Sequence, residues 1–194
     1  MVDAITSTIS LRRPSVFVDV GSNFGLYSCI AAGSGIPEIH SFEPNPRLVA
    51  FQRTNFAMND FRGIKVYELG LSDADADDQQ FLISPRSNSG LSKFEKLATD
   101  EKWRPGTISV SVRRLDGLLV HSNQTVMVKI DVEGAEPFFL AGANTFLMNN
   151  SCDLFIEIKQ DLRTTRLALA ALGYSEKREF RDGNFWFTNY RSSP

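Results

Sequence analysis

Short apolar runs alternate with amphipathic stretches along most of the chain. Val16–Val20 is a short, largely β-branched run that ends at Gly21, which is typical of a strand buried on both faces of a sheet. Similar runs predict strands at 38–42, 64–71, 126–132 and 154–158. The stretches between them predict helices at 23–32, at 47–59, from Pro137 onwards and at 162–172, the last closed by Gly173.

Two of these helices have an apolar stripe that identifies a buried face. In the helix at 47–59, the residues expected to face the core are Leu48, Phe51 and Met58. In the helix that starts near Pro137, they are Phe139, Ala143 and Phe146.

The chain ends in a predicted hairpin, with strands at 177–180 and 184–188 joined across Asp182-Gly183. Alternating strands and helices favour a parallel sheet with helices on both faces. Because the hairpin adds antiparallel strands, the predicted fold class is α/β with a mixed sheet.

One segment, 73–103, interrupts the alternation of strands and helices. A loop of this length inside a compact domain is commonly functional or disordered, and we predict an active-site lid. Residues 107–113 alternate apolar and polar side chains, which predicts an additional half-exposed strand. The sequence therefore indicates a single domain, 1–194, that contains 73–112 as an insertion or lid.

The composition narrows the range of partners. With 21 basic and 23 acidic residues the net charge is −2, which does not favour a nucleic-acid or membrane partner. No apolar run approaches the ~18 residues of a membrane span, and the first residues lack the apolar stretch of a secretory signal, so we expect a cytoplasmic protein. Cys29 and Cys152 are expected to be buried thiols and not a disulfide or metal site.

A glycine turn follows the first predicted strand, where ligands bind in doubly wound sheets. The dinucleotide fingerprint requires glycines at 21, 23 and 26, whereas the chain has Gly21, Asn23 and Leu26. The turn therefore suits a cofactor without a pyrophosphate, such as S-adenosylmethionine. Asp19 would then face the methionine ammonium group, although it could instead cap the following helix.

Glu43 ends the second predicted strand, just over twenty residues after the glycine turn. A carboxylate there can accept hydrogen bonds from both ribose hydroxyls. The alternative is an exposed acid before a proline turn. Leu71 and Ser72 close the third predicted strand, where an adenine ring would lie.

Acidic residues gather at the ends of the fourth and fifth predicted strands. Several charged side chains at the end of a buried strand cost folding free energy, which favours a functional role for them. We expect Asp131 to be the leading candidate for a general base or cofactor-side carboxylate, followed by Glu133 and Glu157. Glu133 could instead favour the positive end of the next helix, and Glu157 could pair with Lys159 or Lys129.

Two further possibilities concern the same acids. The three carboxylates could hold a magnesium-like ion, although no histidine lies nearby in the sequence and we predict no metal. His121, in a polar linker before the fourth predicted strand, is a weaker candidate for the base.

The motifs, taken in order, resemble those of FkbM-type methyltransferases. They are VDVGSNFG at 18–25, FEPNP at 42–46, GLSD at 70–73, RLD at 114–116, KIDVEGAE at 129–136, GA at 142–143 and IEI at 156–158. The resemblance covers about 16–190. It implies a Rossmann-like class I methyltransferase fold with a mixed seven-stranded sheet, S-adenosylmethionine as methyl donor, and a hydroxyl acceptor on a small molecule or sugar.

The resemblance also implies cofactor contacts at Asp19, Gly21, Asn23, Glu43 and Ser72. With their neighbours, the predicted cofactor set is Asp19, Gly21, Ser22, Asn23, Gly25, Glu43, Leu71, Ser72 and Asp131. Similar proteins have more helix ahead of the first strand than the about fifteen residues found here. We therefore expect segment 73–103, a second subunit in a homodimer, or another partner to complete the acceptor site.

Four rival functions remain open at this point. Nucleobase amine methyltransferases resemble one another in an Asn/Asp-Pro-Pro-aromatic motif, where this chain has Asp131-Val132-Glu133-Gly134. A protein methyltransferase of the same fold is a second rival, and a nicotinamide dehydrogenase is a third. The fourth is a degenerate domain that binds the cofactor without catalysis.

Overall fold

The computed structural model describes residues 1–84, 92–98 and 106–190. Within these residues the helices are α1 Val2–Arg12, α2 Leu26–Gly33, α3 Pro46–Met58, α4 Leu115–Leu118, α5 Glu136–Gly142, α6 Asn144–Asn149 and α7 Leu162–Ala171. The strands are β1 Val16–Val20, β2 Glu38–Phe42, β3 Ile64–Tyr67, β4 Gly70–Leu71, β5 Ala76–Ile83, β6 Lys93–Phe94, β7 Gly106–Arg113, β8 Thr125–Ile130, β9 Ser151–Glu157, β10 Ser175–Glu179 and β11 Asn184–Thr188.

Seven strands form the main sheet in the order β10-β11-β9-β8-β1-β2-β3. The pairs from β9 to β3 are parallel, while β11 runs antiparallel to β9 and β10 antiparallel to β11. This mixed, Rossmann-like α/β fold confirms the predicted fold class. The chain leaves β1 on one side towards β2 and returns on the other side at β8, so the carboxyl end of β1 is a switch point where ligands bind.

Both faces of the central strands are buried. Val18, Val128 and Leu154 belong to one core cluster, and Phe17, Met127 and Phe155 to a cluster on the opposite face. Every residue of β1 is buried, as the unbroken apolar run predicts.

The terminal hairpin is confirmed, and its turn shows why. Asp182 and Gly183 have φ values of 61° and 73°, the pair of positive angles that a type I′ turn requires. The Gly183 carbonyl also accepts a hydrogen bond from the Ile158 N–H at 2.8 Å, which ties the turn to the end of β9.

The predicted buried stripe of α3 is wrong at two of three positions. Phe51 is 46% exposed and Met58 is 81% exposed. The residues that face the core are Leu48, Val49, Gln52 and Phe56. At 100° per residue, Leu48 lies at one edge of this face, and positions 51 and 58 lie beyond that edge. A glutamine in the middle of the buried face concealed the true stripe. By contrast, Phe139, Ala143 and Phe146 are all buried as predicted. The predicted single helix is divided into α5 and α6, however, so Phe139 and Phe146 lie in different helices and Ala143 lies between them.

A second, four-stranded sheet has the order β4-β7-β5-β6. The predicted strand at 107–113 is confirmed as β7, but the predicted loop at 73–103 is wrong over β5 and β6. The sequence ADDQQFLI of β5 begins with polar residues and lacks strict alternation, so its strand character was hidden. Parts of the predicted lid, 85–91 and 99–105, lie outside the described residues.

Three smaller differences follow from local geometry. The predicted strand at 64–71 is divided between the two sheets as β3 and β4. Helix α2 begins at Leu26 and not at 23, because Asn23 and Gly25 have positive φ values of 52° and 80°. Helix α1 was not predicted; it buries Ile5 and Ile9, one turn apart. No helix among the described residues is long and apolar enough to cross a membrane.

Candidate active site

A cleft opens at the carboxyl ends of β1, β2 and β8. Its empty volume is about 650 Å³, part of which is open to solvent. It is lined by Val20, Gly21, Asn23, Phe42, Glu43, Pro44, Leu48, Gly70, Leu71, Phe81, Ser92, Phe94, Asp131, Val132 and Glu133. Six of the predicted residues thus line one cleft, although they come from separate parts of the sequence: Gly21, Asn23, Glu43, Leu71, Asp131 and Glu133.

The glycine turn packs directly against the end of β8. A Cβ atom on Gly21 would lie 1.9 Å from the carbonyl oxygen of Asp131, and the φ of Gly21 is 73°. A Cβ atom on Gly25 would lie 2.6 Å from the ring of Phe56. Contact with the protein's own backbone and ring therefore requires glycine at both positions. The close approach also places Asp131 beside the turn.

Glu43 is held at the centre of the cleft by two backbone groups. Its Oε2 accepts a hydrogen bond from the Asn23 N–H at 2.9 Å, and its Oε1 accepts one from the Asn45 N–H at 2.9 Å. The residue is only 4% exposed, and burial raises the pKa of its carboxyl to about 7. Each carboxylate oxygen still has a lone pair available for another donor. The alternative of an exposed acid before a proline turn is thus wrong.

Gln52, which sequence reasoning missed, fastens the glycine turn from below. Its Nε2 donates to Ser22 Oγ at 2.7 Å and to the Asn23 carbonyl at 2.6 Å. Its Oε1 accepts from Ser41 Oγ at 2.9 Å. All of these groups are at least partly buried, so the amide satisfies polar atoms that would otherwise lack partners. A glutamine between Leu48 and Phe56 at helical spacing was the available signal.

Asp19 lies beneath the cleft and does not line it. Its Oδ2 accepts hydrogen bonds from the Ser28 N–H at 2.9 Å and from Ser28 Oγ at 2.7 Å. Ser28 is in the first turn of α2, so the observed contact is the capping alternative. Asp19 is 1% exposed, and burial raises the pKa of its carboxyl to about 6.

Three other predicted cofactor residues contact the protein itself and do not line the cleft. Ser22 Oγ donates to the Phe42 carbonyl at 3.1 Å, which fastens the turn to β2. Ser72 Oγ donates to Asp73 Oδ1 at 3.0 Å. Gly25 adopts the left-handed conformation that lets α2 begin at the next residue. Ser22, Gly25 and Ser72 are not among the lining residues.

The three predicted catalytic acids do come together. Asp131, Glu133 and Glu157 each place a carboxylate oxygen within 4.8 Å of the others. Glu157 forms an ion pair with Lys159, as its alternative interpretation held, and Lys159 also lies 3.8 Å from Glu133. Glu157 sits beside the cleft and is not one of its lining residues.

The electrostatics of this acidic cluster favour uptake of a proton. Burial, with the neighbouring carboxylates of Asp131 and Glu157, raises the pKa of Glu133 to about 7 against the opposing effect of Lys159. Burial also raises the pKa of Glu157, assisted by Asp131. Groups of this kind can accept a proton near neutral pH.

Lys129 is a buried cation paired with Asp131. It is 1% exposed, and its Nζ lies 3.5 Å from Asp131 Oδ2 and donates to the Ile130 carbonyl at 3.1 Å. Glu133 has a φ of 49°, an unusual conformation for a residue other than glycine. Strained backbone of this kind is concentrated at functional sites.

The roof of the cleft comes from the second sheet. Phe81 on β5, Phe94 on β6 and Ser92 beside it also line the cleft. The two rings meet edge to face with centroids 5.4 Å apart. The sequence does not indicate these residues, because 73–103 lacks a strand pattern and predicts a loop.

His121 is remote from this site. Its Nε2 contacts Glu38 Oε2 at 3.1 Å, and Glu38 begins β2 at the opposite end of the sheet. The structure therefore does not bring His121 to the acidic cluster.

Sequence comparison identifies a family model, the methyltransferase FkbM domain, that matches residues 19–176. No curated protein matches the chain.

Solved structures share the fold at low sequence identity. An rRNA methylase from Streptococcus thermophilus is 8% identical with a TM-score of 0.55, and the match covers 96% of this chain and 94% of that one. A precorrin-6y C5,15-methyltransferase from Geobacter metallireducens is 13% identical with a TM-score of 0.54, and the match covers 96% and 86% of the two chains. Similarity at this level supports the fold.

Proposed function

The chain belongs to the FkbM methyltransferase domain family, and from this premise we propose that it methylates a hydroxyl oxygen on a small molecule or sugar. It is an S-adenosylmethionine-dependent methyltransferase. The observation that carries the choice of acceptor is the cluster of Asp131, Glu133 and Glu157 beside the cleft. A hydroxyl must lose a proton when it is methylated, and these carboxylates are placed to receive it.

The cleft fits the methyl donor by its chemistry. Glu43 has one free lone pair on each oxygen after its two backbone hydrogen bonds, which suits two ribose hydroxyls. The cleft offers apolar contacts for the adenine ring of the donor, from Phe42, Leu48 and Leu71. Asp19 is occupied with Ser28, so we assign it no contact with the donor.

When bound, S-adenosylmethionine supplies a methyl group that is activated towards attack by an oxygen nucleophile. Asp131 then receives the acceptor proton, with Glu133 and Glu157 as its neighbours. Lys129 holds the Asp131 carboxylate from the buried side of the strand. Orientation of the reactants can lower the activation free energy by roughly 7–11 kcal/mol. A general base accelerates the reaction by a factor of about 10² to 10⁴, which corresponds to about 3–5 kcal/mol. Positioning by the cleft is therefore the larger contribution.

A small acceptor fits the charge of this region better than a nucleic acid does. The three carboxylates are accompanied by Lys159 and Lys129, so the described residues around the cluster give no surplus of positive charge that would attract a phosphate backbone. The chain also has Asp131-Val132-Glu133-Gly134 in place of the proline-containing amine motif. We therefore place nucleic-acid and protein acceptors behind a small hydroxylated molecule.

Three broader expectations belong to this proposal. Cys29 and Cys152 are free thiols, which fits a reducing compartment such as the cytoplasm. Segment 73–112 as an insertion or lid within a single domain stays a prediction. Completion of the acceptor site by a second copy of the chain also stays a prediction.

The proposal is tested with donor carrying an isotopically labelled methyl group and paired acceptors that differ only in a hydroxyl or an amine. Label on the hydroxyl members, identified as a methyl ether by mass spectrometry, is the expected result. Transfer to the amine members alone would contradict the choice of oxygen. Binding of S-adenosylhomocysteine without turnover on any acceptor would favour the degenerate-domain alternative.

A further inference from the structure

Glu38, His40 and His121 form a second cluster at the end of the sheet opposite the cleft. Each residue offers one ligand atom, and these atoms all lie within 4.8 Å of one another. Glu38 starts β2, whereas Glu43 follows its end; at about 3.3 Å per residue the two sites are on the order of 16 Å apart. This cluster therefore plays no part in the proposed methyl transfer.

We propose that Glu38, His40 and His121 bind a divalent transition-metal ion of the Zn²⁺ type. The two imidazole Nε2 atoms face different oxygens of one carboxylate, with His40 3.0 Å from Oε1 and His121 3.1 Å from Oε2. In a tetrahedral zinc site with bonds of about 2.0–2.1 Å, neighbouring ligand atoms are roughly 3.4 Å apart. Both nitrogen–oxygen distances are thus within about 0.4 Å of this spacing.

The two histidines are presented by separate, fastened elements. His40 lies in β2 on the same face as Glu38, since residues two apart in a strand share a face. His121 lies in the loop before β8, and its carbonyl accepts a hydrogen bond from Asn150 Nδ2 at 2.9 Å. The ion would therefore tie the start of β2 to that loop.

Tyr67 supplies the outer support that metal-binding histidines usually have. Its hydroxyl lies 3.0 Å from Nδ1 of His40, which orients the ring with Nε2 towards Glu38. Two nitrogen donors and one oxygen donor favour Zn²⁺ or Co²⁺ over Mg²⁺ or Ca²⁺.

The ion would take the place of the Lys65 ammonium group at Glu38 and would hold the His121 ring. Lys65 Nζ donates to Glu38 Oε1 at 2.7 Å, but its side chain is 57% exposed and can turn into solvent. Nδ1 of His121 is buried without a hydrogen-bond partner among the described residues. Hydrogen bonding therefore anchors the His121 ring through Nε2 alone, at the atom where the ion would bind. Lys65 acts as a competing cation whose removal should strengthen metal binding.

The test titrates EDTA-stripped full-length protein with ZnCl₂ by calorimetry and with Co²⁺ by visible absorption. We expect one equivalent of Zn²⁺, a higher Tm with zinc, and the absorption of four-coordinate cobalt with nitrogen ligands. His121 lies in a loop, and His121→Ala should weaken zinc binding at least tenfold. The control Ser122→Ala, at an exposed neighbouring position, should leave zinc binding unchanged. Lys65→Met should tighten it several-fold.

Two results would overturn the metal site. One is the absence of zinc uptake in both the wild type and Lys65→Met. The other is uptake that persists in His121→Ala and is lost in the Asp131→Asn, Glu157→Gln double variant, which would place the ion in the acidic cluster. Circular dichroism of every variant distinguishes loss of the site from loss of the fold.

Discussion

The carboxylate of Glu43 accepts a hydrogen bond from the backbone N–H of Asn23 at 2.9 Å, which joins the end of β2 to the glycine turn that follows β1. This contact holds the two halves of the cleft in register before any ligand is bound. It also makes the position of Glu43 depend on the shape of the turn, and the shape of the turn depend on Gly21 and Gln52.

Gly21→Ala should destabilise the whole domain. The new Cβ would meet the Asp131 carbonyl oxygen at 1.9 Å, on a backbone with φ of 73°. Left-handed strain and overpacking together should lower the free energy of unfolding by roughly 3 kcal/mol or more. Urea denaturation measures this value. Gly63→Ala, where a Cβ would meet nothing within 4 Å, is the control and should change it by less than about 0.5 kcal/mol.

Gln52→Leu should weaken both the fold and ligand binding. Leucine fills a similar volume but leaves the Asn23 carbonyl and the Ser41 hydroxyl without their partner. The free energy of unfolding should fall by about 1–3 kcal/mol. The Kd for S-adenosylhomocysteine should rise because the glycine turn is held less firmly. Arg53→Ala, at the exposed neighbour on α3, should leave both values near those of the wild type. Equal unfolding free energies and equal Kd values for the two variants would show that the Gln52 hydrogen bonds do not stabilise the turn.

Asp131→Asn should separate chemistry from donor binding. If this carboxylate receives the acceptor proton, kcat should fall by a factor of about 10² to 10⁴. The Kd of S-adenosylhomocysteine should change by less, because Glu43 and the turn remain. Steady-state kinetics with the best hydroxyl acceptor, beside calorimetry, measures both. Asp60→Asn, at an exposed site, is the control. An unchanged kcat would exclude Asp131 as the base.

Stability should rise as the pH falls from 8 towards 5. Burial raises the folded-state pKa of Asp19 to about 6 and those of Glu43 and Glu133 to about 7. Each of these acids binds a proton more readily when folded, so protonation below about pH 7 favours the folded state. His40, whose pKa is lowered by burial, acts in the opposite direction below its unfolded value of about 6.5, one group against three.

The measurement for this pH prediction is Tm by calorimetry between pH 5 and 8. Glu38, which the contact with Lys65 and the two histidines brings to a pKa of about 2, affects stability only at more acidic values. Asp19→Asn should flatten the profile because it removes one of the three acids. A Tm that rises from pH 5 to pH 8 would contradict the burial of these carboxyls.

Much of the fold was predictable from the sequence because the buried strands are continuous apolar runs. Val16–Val20 and Glu38–Phe42 were predicted with their observed bounds, as was the second strand of the hairpin, Asn184–Thr188. β5 escaped prediction because its polar first half is exposed and its partner strand, β7, lies 23 or more residues away in sequence. Pairing between distant strands leaves no local pattern.

The site was predictable in part for a similar reason. Gly21, Glu43 and Asp131 were found because each follows a strand, and the carboxyl ends of parallel strands meet at one edge of a sheet. Asp19 was placed in the cofactor set because it precedes the glycine turn, but its direction depends on Ser28 in the next helix. Gln52 reaches the glycine turn from helix α3, and a search for polar residues at the ends of strands does not include it.

The most direct test is calorimetric titration of S-adenosylhomocysteine into the wild type and Glu43→Gln at pH 8 and pH 6. We predict binding that is at least about tenfold weaker in the variant, since an amide NH₂ would oppose the N–H of Asn23 or Asn45. With a pKa of about 7, wild-type binding should be about tenfold weaker at pH 6 than at pH 8, and the variant should lose this dependence. Glu68→Gln, at an exposed position, should match the wild type. Equal affinity of wild type and Glu43→Gln for S-adenosylhomocysteine, or binding of NADH in its place, would contradict the proposed cofactor site at Glu43.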